Sequence, residues 1–581
     1  MAVDKQPFFV STSFNPAAMK QQFLLIFMTL AFCACQSQPD YPNLLLVNGK
    51  IWTGESDSTF VEALAIRGSI ILQTGDNKSI LELAGPETEI IDLERRLATA
   101  GFNDAHIHFL SGSMGLSLVE LSSAKNFGEM IEMTLEYIQR NPEKEWITGR
   151  GWQYTFFASG LPDHESMKAL DLDKPVFIRA YDGHSAYANP KALEIAGITS
   201  QSQFSGFGEL VKDENGKPTG ALKERAMDLV ASHVPVPNFE DKLEAFRKGL
   251  DYASSLGITS VQNANGSEED LRLVLRLFER GELSLRYAAA FSVGEDVTEE
   301  HIDRFIYLKD SLGDSNSWLR ADAIKFMIDG VIEGHTGAML EPYSDIPADD
   351  PLALGELNWE LDRYQSLVKQ LDSAGFRLYT HAIGDRGVRE ALNAYEKAQR
   401  ENQSTGRRHR IEHIEIIHPD DIPRFAQLGI LPSMEPIHAE PGTTEVWSNA
   451  VGSNRLPYSF AWKSLLDQDA ALVFSSDWPA CISLNPLRGI HVAVNRRNPD
   501  GYPERGWIPE EKISLPQALK AYTSMGAFSS FEENRKGILK KGYLADLVVF
   551  SQDLFSIDPM KIHETTVEMT FVDGEKVFQR R

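Results

Sequence analysis

One phrase recurs along the middle of this 581-residue chain: an amphipathic helix, a glycine, then a short apolar strand. Asn238 can cap a helix whose Leu243, Phe246, Leu250 and Ala253 keep helical spacing; Gly257 ends it, and Ile258-Thr259-Ser260-Val261 reads as a strand. Tyr364, Leu367, Val368 and Leu371 mark a second helix that stops at Gly375 before the strand Phe376 to Thr380, and a third stops at Gly429 before Ile430-Leu431. The repetition predicts a parallel α/β fold, because parallel strands need a crossover and a helix supplies it. Eight candidate strands lie near 102–107, 257–264, 283–292, 321–328, 376–381, 409–413, 429–434 and 470–476. Eight suits a closed (β/α)8 TIM barrel. An open doubly wound sheet is the competitor, but it gives no reason for polar residues to fall at the ends of strands one, five, six and eight.

The first two strands are separated by residues 108–256, so a large insertion, about 120–235, follows strand one. It carries the strand-like Trp146-Ile147-Thr148-Gly149-Arg150-Gly151-Trp152 and Val176-Phe177-Ile178-Arg179. An insertion there leaves the barrel at its catalytic face and is expected to cap the pocket. Short apolar runs punctuated by glycine fill residues 42–98, and Asp546 to Phe550, Val567 to Val572 and Lys576 to Phe578, with a hairpin turn at Asp573-Gly574, fill the far end. The expectation is one small β-sandwich domain built from both termini, 42–98 with 531–581, around a barrel spanning 99–530.

The N-terminal segment reads as a processing signal. Lys20 precedes an apolar run of ten residues, Phe23 to Phe32, then Ala34, Cys35 and the polar Gln36-Ser37-Gln38. That run is too short to span a bilayer. A cysteine after a small residue resembles a bacterial lipobox, although Phe32 is unusual in one, so residues 1–35 are expected to be a leader with Cys35 acylated and Met19 an alternative start. The localisation this implies is the bacterial cell envelope, as an exported lipoprotein on the periplasmic or outer-membrane face; a plain cleaved signal is the alternative. The formal net charge of −26 argues against nucleic acid and anionic lipid as partners, leaving membrane attachment to the lipid anchor. Besides Cys33 and Cys35 there is only Cys481, so no disulfide framework holds the fold.

The chemistry is carried by residues at strand ends. Gly101-Phe102-Asn103-Asp104-Ala105-His106-Ile107-His108 places two imidazoles two apart on a strand, facing one side, which is half of a metal site. Lys325 interrupts the apolar Ala323-Ile324-Lys325-Phe326-Met327-Ile328. It is either an edge residue reaching solvent or a desolvated amine that can capture carbon dioxide as a carbamate. His381 closes Phe376 to Thr380, and His413 closes Arg410-Ile411-Glu412. Each alone is as compatible with a structural histidine; together, beside the first pair, they point to ligation. Asp477 ends Ala471-Leu472-Val473-Phe474-Ser475-Ser476, as a turn cap or as a ligand and proton acceptor. Cys481 reads as packing.

The ordered set of two histidines, lysine, histidine, histidine and aspartate resembles the amidohydrolase superfamily of metal-dependent hydrolases. Arg179-Ala180-Tyr181-Asp182-Gly183-His184, Lys325 to Gly330, Thr380-His381-Ala382-Ile383-Gly384-Asp385 and Ser476-Asp477-Trp478-Pro479 resemble the branch of the N-substituted formamide deformylases. The usual Pro-Gly before the first strand is Ala100-Gly101 here, which touches a turn and no ligand. The resemblance implies that His106, His108 and Asp477 bind a buried metal, that His381 and His413 bind an outer one, and that carboxylated Lys325 bridges them. It implies one or two divalent metals per chain, zinc first, and carbon dioxide or bicarbonate for the lysine. Trp152, Asp182 and His184 match positions that face substrate, but on their own reading are as well explained as cap structure.

The expected function is therefore hydrolysis of a C–N bond in a small linear or cyclic amide or formamide, by metal-activated water with Asp477 as general base. Deamination or phosphotriester hydrolysis on the same site is the first alternative, and a non-catalytic solute-binding lipoprotein the second. The resemblance also allows a homodimer, for which no stretch of the sequence locates an interface.

Overall fold

The structure, a computed structural model, describes residues 41–158, 160–181, 184–205, 208–313, 316–441, 444–481 and 483–581. The leader, Cys35 and Asp182 lie outside the described residues.

Eight parallel strands form the central sheet: β1 (Phe102–Ile107), β2 (Ile258–Gly266), β3 (Arg286–Ser292), β4 (Leu319–Met327), β5 (Arg377–Ala382), β6 (Arg410–His413), β7 (Leu431–Met434) and β8 (Val473–Phe474). Each pairs with the next in chain order. The seam between β8 and β1 is closed by the Asp477 N–H on His106 O (2.8 Å) and the His108 N–H on Trp478 O (2.9 Å). This is the (β/α)8 barrel that the helix, glycine, strand phrase predicts. The local reasons are also visible. Asn238 and Asp241 make a reciprocal capping box on the helix Phe239–Ser255. Gly429, at φ 63°, ends the helix Ile422–Leu428 in the left-handed conformation that opens β7. The helices bury Leu243, Phe246, Tyr364, Leu367 and Val388 against the strands in one continuous core.

Between β1 and β2 the chain builds a second sheet of six strands, running from Val119–Glu120 to Pro218–Glu224 and Gly208–Lys212, with its own apolar core around Leu121, Ile147, Trp152 and Ile178. Two further sheets use both ends of the chain. Leu44–Val47, Ala63–Arg67, Ile70–Gly75 and Glu89–Asp92 form one; Lys50–Trp52, Phe60–Val61, Leu97–Ala100, Leu547–Phe550, Val567–Val572 and Glu575–Gln579 form the other. Leu46, Leu64, Ile71, Val549 and Phe571 pack between them. Arg286 at the start of β3 ties this sandwich to the barrel floor: its guanidinium donates to both oxygens of Asp546 (2.6 and 2.9 Å) and to Asp573 (2.8 Å).

Candidate metal centre and active site

His106, His108, Lys325, His381, His413 and Asp477, drawn from five strands, all line one cavity of about 460 Å³ at the C-terminal mouth of the barrel. That volume accommodates a small organic substrate. His106 sits within β1 and is fully buried, while His108 follows the strand and is partly exposed. Their ring centroids are 5.5 Å apart; His413 lies 4.9 Å from His106 and 4.5 Å from His381. His413 (φ 75°) and Asp477 (φ 55°) both occupy left-handed backbone, a local cost that turns each side chain at its strand end.

Hydrogen bonds decide which ring nitrogen each histidine leaves bare. His106 Nδ1 is 2.8 Å from Glu412 Oε2, and His413 Nδ1 is 2.9 Å from Glu435 Oε2. An ionised carboxylate only accepts, so His106 Nδ1 carries the proton and its Nε2 keeps its lone pair. Burial raises Glu435 to about 8, against the charge of His438, and His413 takes the same tautomer when Glu435 is ionised. His381 Nε2 is 3.1 Å from the Gly330 carbonyl, which by the same argument leaves His381 Nδ1 bare. Carboxylate or carbonyl behind imidazole is the support that metal-binding histidines need.

The donor set fits a divalent cation. One ligand atom each from His106, His413 and Asp477 lie within 4.8 Å of one another. Asp477 Oδ1 is buried without a proper hydrogen bond, although His108 Nε2 is 2.9 Å away, so an acceptor is left over where imidazole lone pairs converge. Burial pushes the pKa of His106 and His381 well below the ordinary value and that of His413 to about 4, so all three stay neutral and able to ligate. Burial would raise Asp477, but the imidazoles around it, His108 Nε2 at 2.9 Å foremost and the protonated His438 beside it, outweigh burial and hold its carboxyl below the usual range.

Lys325 does not reach solvent: it is 2 % exposed, with Nζ 3.3 Å from His106 Nε2. Of the two readings its sequence context allows, the desolvated amine is the one the geometry favours. Burial lowers its pKa, against the pull of Glu412, Asp477 and Glu435. Cys481 is a buried free thiol on the cavity wall, raised by burial out of the reactive range.

Trp152 and His184 are not among the residues lining this cavity. Trp152 is fully buried in the core of the six-stranded sheet, its indole N–H on Ile178 O at 2.9 Å, so the cap-structure reading holds for it. His184 is exposed and pairs with Glu224 at 3.1 Å. Among the described residues the cavity wall comes from barrel loops: Val331 and Glu333 after β4, Ile383 after β5, Glu415 after β6, Ile437 and His438 after β7.

Sequence reasoning missed Glu412, Glu435, Glu415 and His438. His438 Nδ1 is 3.4 Å from Glu415 Oε1, whose other oxygen accepts the Trp447 indole N–H at 2.8 Å; its Nε2, 3.6 Å from Asp477 Oδ2, is buried without a hydrogen bond. Burial would lower its pKa, but Glu415, Asp477 and Glu435 outweigh that and hold it up at about 9. One signal was available for Glu412: Arg410 and Glu412 stand two apart on one short strand and so face the same side, where they neutralise each other at 2.9 Å.

A closed barrel with histidines and an aspartate gathered at its C-terminal mouth defines a metal-dependent hydrolase. Comparison with known proteins agrees. The chain belongs to the amidohydrolase family, whose sequence profile matches residues 89–578. It is 30 % identical over 551 residues to the Arabidopsis thaliana protein LONG AFTER FAR-RED 3, covering 92 % of this chain and 91 % of that one. It is 24 % identical over 561 residues to an N-substituted formamide deformylase of Arthrobacter pascens, covering 93 % and 98 %. The crystal structure of a metal-dependent hydrolase from Pyrococcus furiosus superposes with a TM-score of 0.69 at 26 % identity, covering 89 % of this chain and all of that one.

Proposed function

We propose that this chain hydrolyses the C–N bond of a small amide or formamide, with Asp477 moving the proton. The observation that carries the reading is the buried Asp477 carboxylate, with one oxygen unpartnered among imidazoles whose far nitrogens are held by Glu412 and Glu435. His106, His108 and Asp477 would hold one metal, His381 and His413 a second, with carboxylated Lys325 between them; zinc is the first candidate, given nitrogen and oxygen donors. A divalent metal bound there supplies a nucleophile from water at neutral pH and polarises a carbonyl oxygen.

The remaining steps fall to the chain. Lys325, kept from water, presents the amine that carbon dioxide carboxylates: a C–N bond forms at Nζ and a proton leaves. Asp477, held below the usual carboxylate range, is ionised and free to take the proton of the attacking water and hand it to the departing nitrogen. His438 Nε2, 3.6 Å from Asp477 Oδ2, has hydrogen-bonding capacity to spare for the substrate's amide. The similarity to a formamide deformylase supports the substrate class.

Metal counting by plasma mass spectrometry, on protein purified with zinc and bicarbonate, is the first test. Two per chain, falling in Lys325→Ala, is expected; one per chain demotes Lys325 to a structural role, and none overturns the catalytic reading. A panel of formamides, cyclic amides, aminopurines and phosphotriesters, scored for amine, ammonia and acid, then tests the bond: release of ammonia or phosphodiester alone would replace C–N amide cleavage by deamination or phosphotriester hydrolysis. Export as a lipoprotein belongs to the same proposal; labelled palmitate should enter the wild type and not Cys35→Ala, and an unlabelled wild type rejects it.

A further inference from the structure

Asp329 lies two residues beyond β4, is wholly buried, and takes no part in the chemistry above. Its carboxylate accepts three backbone N–H groups from two different loops. Oδ1 accepts from Ile383 (3.0 Å); Oδ2 accepts from Gly384 (2.8 Å) and Ala338 (2.9 Å). Gly384 is the N-cap of the helix Asp385–Asn402 and has no side chain with which to cap it. The N–H groups that an N-cap side chain ordinarily accepts, those of Arg386 and Gly387, go instead to Ala338 O (3.0 and 3.3 Å). Asp329 holds Ala338 itself together with the two residues at the helix entry, Ile383 and Gly384, at the end where negative charge is favoured.

The surroundings are built to admit this carboxylate. A Cβ on Gly387 would come within 2.6 Å of Asp329 Oδ2, and one on Gly384 within 2.1 Å of Ala338 O. The same seam carries the Arg386 N–H on Ala338 O (3.0 Å), the Leu340 N–H on Asp385 Oδ1 (2.8 Å) and the Ile328 N–H on His381 O (3.1 Å). Two consequences meet at Asp329. The next residue, Gly330, offers the carbonyl that fixes the proton on His381 Nε2. The segment that Asp329 anchors at both ends, 329–338, includes Val331 and Glu333 of the cavity wall.

We infer that Asp329 is a positioning residue: it locks the cavity wall after β4 to the loop after β5, and through Gly330 it sets the His381 imidazole for metal binding. The inference rests on the metal reading above. Without the carboxylate the loop keeps the Gly330 N–H on Thr336 O (3.1 Å) and the Asn358 amide on Asp329 O (3.0 Å) but loses its three bonds to Ala338, Ile383 and Gly384, so the Gly330 carbonyl is held less firmly against His381 and the aim of the bare Nδ1 loosens. Support of this kind is worth roughly 10–100-fold in metal affinity.

The test uses the full chain and zinc alone, in competition with a chromogenic chelator, alongside the visible spectrum of the cobalt-loaded protein, which reports ligand geometry. Asp329→Asn keeps the shape but turns one acceptor into a donor facing N–H groups; zinc affinity should fall 10–100-fold and the cobalt bands should move. Gly387→Ala leaves the carboxylate in place but presses on it, while alanine itself favours helix over glycine. It should move zinc affinity and cobalt spectrum in the same direction without loss of helix, and it decides the matter if Asp329→Asn fails to fold. Wild-type zinc affinity and cobalt spectrum in both variants, whatever their thermal stability, would overturn the inference. A wild-type chain that binds no zinc would overturn it together with the metal reading, so the two failures are distinguishable.

Discussion

Replacing Glu412 with glutamine should weaken metal binding without emptying the cavity of any proposed ligand. Glu412 is fully buried; Oε2 accepts from His106 Nδ1 at 2.8 Å and Oε1 from Arg410 Nε at 2.9 Å. Glutamine keeps the shape but has one acceptor for two donors. If its oxygen stays with His106, its NH2 faces the guanidinium; if it stays with Arg410, its NH2 faces His106 Nδ1 and drives the proton to Nε2, the nitrogen that must be bare. A hydrogen bond to a charged group is worth about 1.5–3 kcal/mol. Losing it behind a ligand corresponds to roughly 10–100-fold in zinc affinity, or about 1.4–2.7 kcal/mol. Arg410 does not come adrift, because Ala105 O (2.8 Å), Gln262 Oε1 (3.0 Å) and the Tyr379 ring (3.6 Å to its centroid) still hold it. It does become a buried charge without a counter-ion, so a lower Tm should accompany the weaker binding. The assay is zinc titration of the metal-free protein against a competing chelator, with thermal unfolding in parallel. A lowered Tm with unchanged zinc affinity would refute the reasoning, since Glu412 would then be only the partner of Arg410.

Three further outcomes are expected. Asp477→Asn should lower kcat by roughly 10²–10⁴-fold, the worth of a positioned proton acceptor, while plasma mass spectrometry still finds metal; a near-normal rate removes Asp477 as the base. Arg286→Met should destabilise the fold by about 3–5 kcal/mol, because Asp546 would be left buried and uncompensated, with zinc content of the folded fraction unchanged; an unaltered Tm rejects that role for the ion pair. Asp372 should contribute to acid sensitivity. Burial raises its carboxyl, but hydrogen bonds from His409 (3.0 Å), Asn402 (2.7 Å) and Ser404 (2.7 Å) outweigh that and bring it to about 2. A folded pKa below the unfolded value of roughly 4 gives stability that is present above pH ~4 and lost as pH falls toward 2. The Tm gap between wild type and Asp372→Asn should therefore close over that interval; a constant gap would show that the charge is not what matters.

The barrel was legible because its signals are local. Helical spacing in Leu243, Phe246, Leu250 and Ala253, a cap at Asn238 and a stop at Gly429 each lie within one turn or one strand, and each recurs. The six proposed ligands were legible for a related reason: each is a polar residue in or at the end of a candidate barrel strand, where burial without a partner is costly and a functional reason is the economical one. Lys325 shows how far this goes. The run Ala323 to Ile328 leaves open whether the amine reaches water, and only the closed barrel, which buries it beside His106, decides.

What the sequence does not disclose is everything that orients those ligands. Glu412 reaches His106 across 306 positions of chain, and Asp329 reaches Gly384 across 55. No spacing rule reports such contacts, because they exist only once the strands stand side by side. Trp152 shows the same limit from the other side: its resemblance to a substrate-facing position and its fitness as cap structure weigh equally in the sequence, and the six-stranded sheet packs its indole in an apolar core. A ligand set therefore argues for a metal, but not for which ring nitrogen faces it. That is settled by carboxylates and carbonyls behind the rings, and it is there, at Glu412, Glu435 and Asp329, that substitutions should separate metal affinity from the mere presence of ligands.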